Sequence, residues 1–305
     1  MEKVSYLNQP NCLRLANREI EVLVTTDVGP RIIRYARKGG ENVLGKVPET
    51  AVETVLGRWK PWGGHRLWAA PEDWPRSYAP DNDAVEYKAV GERALRLRQQ
   101  TELATGLQKE MMVTIDEVGS GVRVDHRITN RSQTEVEVAP WALTIMRGGG
   151  VAILPQEPFR PHSEYLLPAR PLVLWHYTNL SDPRWRVGQK FISLKSDPDL
   201  SEPQKIGVAN KQGWAAYYLP DALFVKRFAY VEGATYPDYG SNNEVFTAGS
   251  FIEVESLAPL ALLAPGEWAE HVEHWYLFDG VQLGGGDGEA ALEAAFGPLI
   301  AVAPL

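Results

Sequence analysis

A single cysteine, Cys12, stands in 305 residues, so no disulfide can close within the chain. That scarcity points to a reducing compartment, with a cysteine-poor exported protein as the alternative. Basic tracts are also missing. Lys and Arg number 31 against 39 Asp and Glu, for a formal charge of -8. Such a chain is a poor partner for nucleic acid or an anionic membrane. No apolar run is long enough to span a bilayer. The opening residues, MEKVSYLNQPNCL, lack the basic and then apolar segments of a secretory leader. These readings together lead us to expect a cytoplasmic protein.

Several catalytic signatures are absent too. There is no GxSxG elbow, and Cys12 has no activating neighbours in sequence. GGGDGE near Gly285 lacks the Lys-Ser/Thr of a phosphate loop and reads as a flexible turn. No HxH or CxxC spacing supports a metal, so neither metal nor cofactor is expected.

What the chain does have is period-two alternation. EIEVLVTTDVG places Ile20, Val22 and Val24 in phase, and further strand-like runs include KEMMVTIDE, VRVDHRITN, TEVEVAPWALTIM, LFVKRFAYV and SFIEVESL. Gly, Pro, Asn, Asp and Ser bound most of them. Only PETAVETVLGRW near Val52 and GEAALEAAF near Ala291 look helical. Many strands and few short helices predict an all-β, large antiparallel sandwich. No linker divides the chain, so residues 1–305 are read as one domain. A region from Leu154 to Asp199, rich in Pro, Trp, Tyr and Arg, is expected to wall a cleft.

Two segments carry candidate chemistry. The first is WGGHRLWAAPE, Trp62 to Glu72. Its glycines allow a tight turn or close approach to a ligand. Trp62 and Trp68 offer flat apolar faces, and His65, Arg66 and Glu72 offer a proton shuttle, a donor fork and an acceptor. That set suits a sugar, and it equally suits a core loop satisfying buried carbonyls. The second segment is NNEVFTAGSFIEVESL, Asn242 to Leu257. Alternation puts Phe251, Glu253, Glu255 and Leu257 on one face and Ile252, Val254 and Ser256 on the other. Close carboxylates raise a pKa and suit a general acid or base. The alternative is a solvated strand face paired with Lys226 or Arg227. Asn243 and Glu244 add hydrogen-bonding groups nearby.

Among the histidines, His126 is in phase with Val122, Val124 and Ile128 and reads as a satisfied core or interface residue. His162 and His176 fall in the aromatic region and are further cleft candidates. His271 and His274 are three apart, hence on opposite faces of a strand.

GPRIIRY, GGHRLWAAPE, ITNRSQTEVEVAPWALTIM and FIEVESLAPLALLAPGEWAEHVEHWYL occur in that order. Together they resemble landmarks of the galactose mutarotase-like superfamily, in particular a bacterial domain-of-unknown-function group within it. The resemblance implies a β-supersandwich whose concave sheet holds carbohydrate. It also implies aldose epimerase chemistry without a cofactor. There a late glutamate takes the proton of the anomeric hydroxyl, a histidine protonates the ring oxygen, and the ring opens and recloses. The glutamate falls on Glu255, with Glu253 as second choice. Trp141 stands where the mid-chain histidine would be, and an indole cannot shuttle that proton. Either His65 takes the acid role, or standard mutarotation does not occur.

The expected ligand is a small sugar or sugar derivative. The expected contacts are Trp62, Arg66, Trp68, Glu72, Trp141, Arg227, Asn243, Glu244 and Glu253. Two alternatives stand beside the epimerase, a non-catalytic carbohydrate-binding domain and a glycoside hydrolase or lyase with paired carboxylates. The sequence leaves the oligomeric state and the sugar's phosphorylation open.

Overall fold

Alternation along the chain resolves into two antiparallel sheets in the computed structural model, which describes residues 1–47, 50–284, 286 and 288–305. The first sheet has eleven strands among the described residues. Its middle runs in the order Arg31–Arg37, His65–Ala70, Val136–Met146, Phe251–Leu257, Asn243–Ala248 and Gln204–Val208. The second has ten, with Val122–Asn130, Trp268–Asp279 and Ala222–Phe228 adjacent at its centre. Ile32, Leu67 and Val254 of the first sheet share one apolar core with Val124, Phe224 and Trp275 of the second. Strands such as Leu107–Ile115 alternate strictly between buried and half-exposed residues, as a strand with one wet face must.

One of the two helical segments is a correction. Val52–Thr54 and Gly57–Trp59 pair as a short hairpin, and Pro48 and Glu49 lie outside the described residues. Val52, Thr54 and Val55 are β-branched and lose side-chain freedom in a helix. The Thr54 hydroxyl closes the turn by donating to the Gly57 carbonyl at 2.9 Å. Trp59 then packs on Trp68 with ring centroids 5.2 Å apart. The second helical segment does form, as the helix Glu289–Ala301. Its Leu292 and Phe296 cover Ile153, Leu223 and Val225 on the outer face of the second sheet. Gly285 and Asp287 of the expected GGGDGE turn lie outside the described residues. No helix among those described is long and apolar enough to cross a membrane.

Gly63 and Gly64 are required by close backbone approach. Both have positive φ, and a Cβ on Gly64 would sit 2.1 Å from the Ile32 carbonyl oxygen. They seat the His65–Ala70 strand against Arg31–Arg37.

A polar seam runs through the core between the sheets. His126 Nδ1 donates to the His271 carbonyl at 3.0 Å, which leaves its Nε2 an acceptor in the neutral ring. His65 Nε2 donates to that atom at 2.7 Å, and His65 Nδ1 accepts from the Thr144 hydroxyl at 2.8 Å. Glu273 accepts from Trp275 Nε1 at 2.7 Å and pairs with Lys226 Nζ at 2.8 Å. Ser256 donates to the same carboxylate and accepts from His271 Nε2 at 2.7 Å. The imidazole nitrogens of His65 and His126 and a Glu273 oxygen lie within 4.8 Å of one another, a spacing that could hold a metal. Each of those atoms is already engaged by a partner in the protein.

Burial disfavours charge on these rings and lowers the pKa of His65, His126 and His271, the last to about 3. The unfolded chain therefore takes up these protons first, starting near the ordinary value of 6.5. Stability is complete above that value and falls as pH drops toward His271's folded pKa. The melting temperature should hold above about pH 7 and decline steadily from about pH 6.5 to pH 4. His271→Gln should make that acid limb shallower, as measured by scanning calorimetry.

Candidate functional site

Register decides which side chains meet on the outer face of the first sheet. Cross-strand partners share a face. Arg66, Leu143, Glu255 and Glu244 are successive partners across four strands. Ile145, Glu253, Phe246 and Lys205 form a parallel row, and Trp68 pairs with Trp141. Trp59 and Tyr78 close one side, and Trp175 and Tyr177 close the other, around a cavity of about 430 Å³. Trp175 and Tyr177 come from the aromatic region that the sequence assigns to a cleft wall. His176 between them is exposed, as is His162.

The floor is a network of buried charges. Arg66 Nη1 donates to Glu253 Oε1 at 3.0 Å, and its guanidinium lies 4.6 Å from the Trp68 ring centroid. Lys205 Nζ sits 2.8 Å from Glu244 Oε2 and 3.2 Å from Glu255 Oε2. It also lies over the rings of Trp141 and Trp175, at 4.6 and 4.7 Å. Trp141 Nε1 donates to Glu255 Oε2 at 2.8 Å. The indole therefore holds the late glutamate in place.

Burial raises the pKa of both Glu244 and Glu255, and the single Lys205 charge between them only partly opposes this. Burial also works against the Lys205 charge, but Glu244 and Glu255 override it and hold the ammonium well above its usual range. One cation between two facing carboxylates leaves the pair favouring a retained proton. At the mouth, Tyr78 donates to Glu72 Oε1 at 2.5 Å. Burial and the Glu72 carboxylate keep that phenol protonated.

The structure thus brings Arg66, Trp68, Glu72, Trp141 and Glu253 to one cavity, with Glu244 and Glu255 fully buried beneath it. Four expected residues stand elsewhere. His65 is the neighbour of Arg66, so its side chain leaves the opposite face and joins the core seam. Burial keeps it neutral, which removes it as a proton donor to anything in the cavity. Trp62 is not in the lining, although its strand partner Val47 is, and Lys60 Nζ lies 4.8 Å from its ring centroid. Arg227 lies on the outer face of the second sheet, opposite Trp214 and His274. Asn243 is buried and donates to the Glu255 carbonyl at 2.6 Å, bracing the backbone. The alternative of a solvated strand face paired with Lys226 or Arg227 does not form, because Lys226 serves Glu273 in the core and the pocket glutamates take Lys205 and Arg66. Sequence reasoning did not find Lys205, Trp59, Tyr78, Trp175 or Tyr177 individually. The available signal for Lys205 was a lone charge inside the strand QKIGV.

Removing Lys205 should expose the cost of two facing carboxylates. Lys205→Met should lose about 3–5 kcal/mol near neutral pH by urea unfolding. The remaining carboxyls would have folded pKa values above their unfolded ones, so acid favours the folded variant. Its deficit relative to the unsubstituted protein should narrow as pH falls.

No protein-family model matches the chain, and no curated protein matches it. Solved structures do. A galactose mutarotase-like protein from Lactobacillus casei superposes with a TM-score of 0.53 at 11% identity, over 88% of this chain and 100% of that one. A galactose mutarotase related enzyme from Lactobacillus acidophilus gives 0.53 at 8% identity, over 88% and 97%. A TPR-domain containing protein from Parabacteroides distasonis gives 0.58 at 15% identity, over 92% of this chain and 49% of that one. The two-sheet architecture and these superpositions agree, and the chain has the galactose mutarotase-like fold.

Proposed function

We propose that this protein binds a saccharide in the cavity on the outer face of its first sheet. One observation carries the reading: aromatic faces and unpartnered hydrogen-bonding atoms occur together around one hollow. Trp59 Nε1 and Arg66 Nε, on lining residues, have no acceptor, and Glu255 Oε1, buried beneath the lining, has no donor. A buried polar atom left unpaired costs about 1–3 kcal/mol. Sugar hydroxyls donate and accept, so they answer both kinds of vacancy, and the apolar face of a sugar ring suits an indole. At about 430 Å³ the cavity is large enough for a small ligand.

Aldose 1-epimerase activity is the second reading, favoured by Glu255. Its burial-raised pKa and free Oε1 suit a base that takes the anomeric proton. Among the described lining residues there is no imidazole to protonate the ring oxygen. Lys205, 3.2 Å from Glu255, is the nearest ammonium, and the two carboxylates that hold its proton make it a weak acid.

Calorimetric titration with a panel of monosaccharides tests the first reading. At least one sugar should bind, and Trp175→Ala, at a half-buried loop position, should weaken it about tenfold. A panel without a binder refutes it. Polarimetry of a freshly dissolved anomer tests the second. The protein should accelerate mutarotation and Glu255→Gln should abolish the acceleration. Sugar binding without acceleration leaves a binding protein.

A further inference from the structure

Charge accounting around the cavity narrows the ligand, on the assumption that the cavity holds a saccharide. Four acidic side chains among the described residues belong to the site: Glu72, Glu244, Glu253 and Glu255. Arg66 and Lys205 are the only cations among the described lining residues. Both are committed. Arg66 is paired with Glu253 at 3.0 Å, and Lys205 is held between Glu244 and Glu255 at 2.8 and 3.2 Å. The guanidinium and the ammonium also lie against indole rings, at 4.6 Å from Trp68 and 4.6 Å from Trp141. An anionic group on a ligand would find no cation without a carboxylate partner among the described lining residues. It would have to share its cation with a buried carboxylate that already holds it, at the cost of like-charge repulsion.

Glu72 is different. Among the described residues its one hydrogen-bond donor is the neutral Tyr78 hydroxyl, on Oε1, and no cation forms an ion pair with it. It sits beside an aromatic cluster in which Tyr78 contacts Trp59 and Trp68 at 5.3 and 5.0 Å. A carboxylate beside electron-rich ring faces is the chemistry that holds an ammonium group. Trp59 Nε1 and Arg66 Nε, on residues that are 4% and 3% exposed, are unpartnered donors in the same lining. They remain for the hydroxyls of the same molecule.

We infer that the ligand is an amino sugar, with its ammonium group bound by Glu72 and its hydroxyls turned to the Trp59 and Arg66 donors. Anionic sugars, phosphorylated or uronate, are rejected by the same charge arrangement.

The test is calorimetric titration at mildly acid pH, where a sugar amine is protonated. The probes are glucosamine and galactosamine, each against its neutral parent, together with glucose 6-phosphate and glucuronate. An amino sugar should bind about tenfold more tightly than its parent, as one charged hydrogen bond supplies. Raised salt should shrink the preference. E72Q should collapse it toward unity, with the fold checked by circular dichroism because Glu72 is exposed. Binding of the phosphate or the uronate at the level of the neutral sugar would overturn the inference. So would equal binding of amine and parent, or a preference that survives E72Q. Those results would leave saccharide binding standing, whereas failure of every sugar to bind would remove that reading as well.

Discussion

Every central strand of the first sheet has a core side and a cavity side, and the two-residue period allows no exception within a regular run. Antiparallel register extends that division across neighbours. Arg66, Leu143, Glu255 and Glu244 fall in one row facing out, while Thr144 pairs with His65 and with Val254 facing in. The cavity and the core seam are the two faces of the same strands. A one-residue slip would exchange them and place charged groups in the apolar core.

Both faces carry buried charge, and each is compensated differently. In the core, Glu273 is held by one ammonium, an indole N–H and a hydroxyl, and its carboxylate stays well below the usual range. Around it the histidines are neutral and pass hydrogen bonds along the seam. On the cavity side two carboxylates face each other across strands and share one ammonium. The first set is saturated. The second leaves Glu255 Oε1 and Glu244 Oε1 without hydrogen-bond partners. Unsaturated polar atoms beside an open hollow are the physical basis for reading the cavity as a ligand site and the seam as a structural one.

Trp141 ties these points together. The resemblance puts it where an imidazole would supply a proton. In the structure its indole N–H donates to Glu255, and its ring packs against Trp68 at 5.5 Å and under Lys205 at 4.6 Å. It can fix the orientation of the glutamate and wall the cavity, but it cannot exchange a proton at neutral pH. Of the chemical roles attached to that place in the fold, positioning is the one an indole can perform.

The opposite faces of SFIEVESL were legible from alternation alone, and so was the burial of His126. The two-sheet, all-β class followed from the number of alternating runs, because local periodicity is a local property. The hairpin at Val52–Trp59 was misread because it is stabilised by Trp59 packing on a distant Trp68, which local pattern cannot register. The separation of His65 from Arg66 follows from strand alternation once residues 65–70 are known to be a strand rather than a loop. What the chain by itself determined was which residues share a face on each strand. Which strands became neighbours, and so which carboxylate found which cation, was decided only by the tertiary structure. Lys205 and Glu255 are fifty residues apart in the chain, and only sheet order brings them within 3.2 Å.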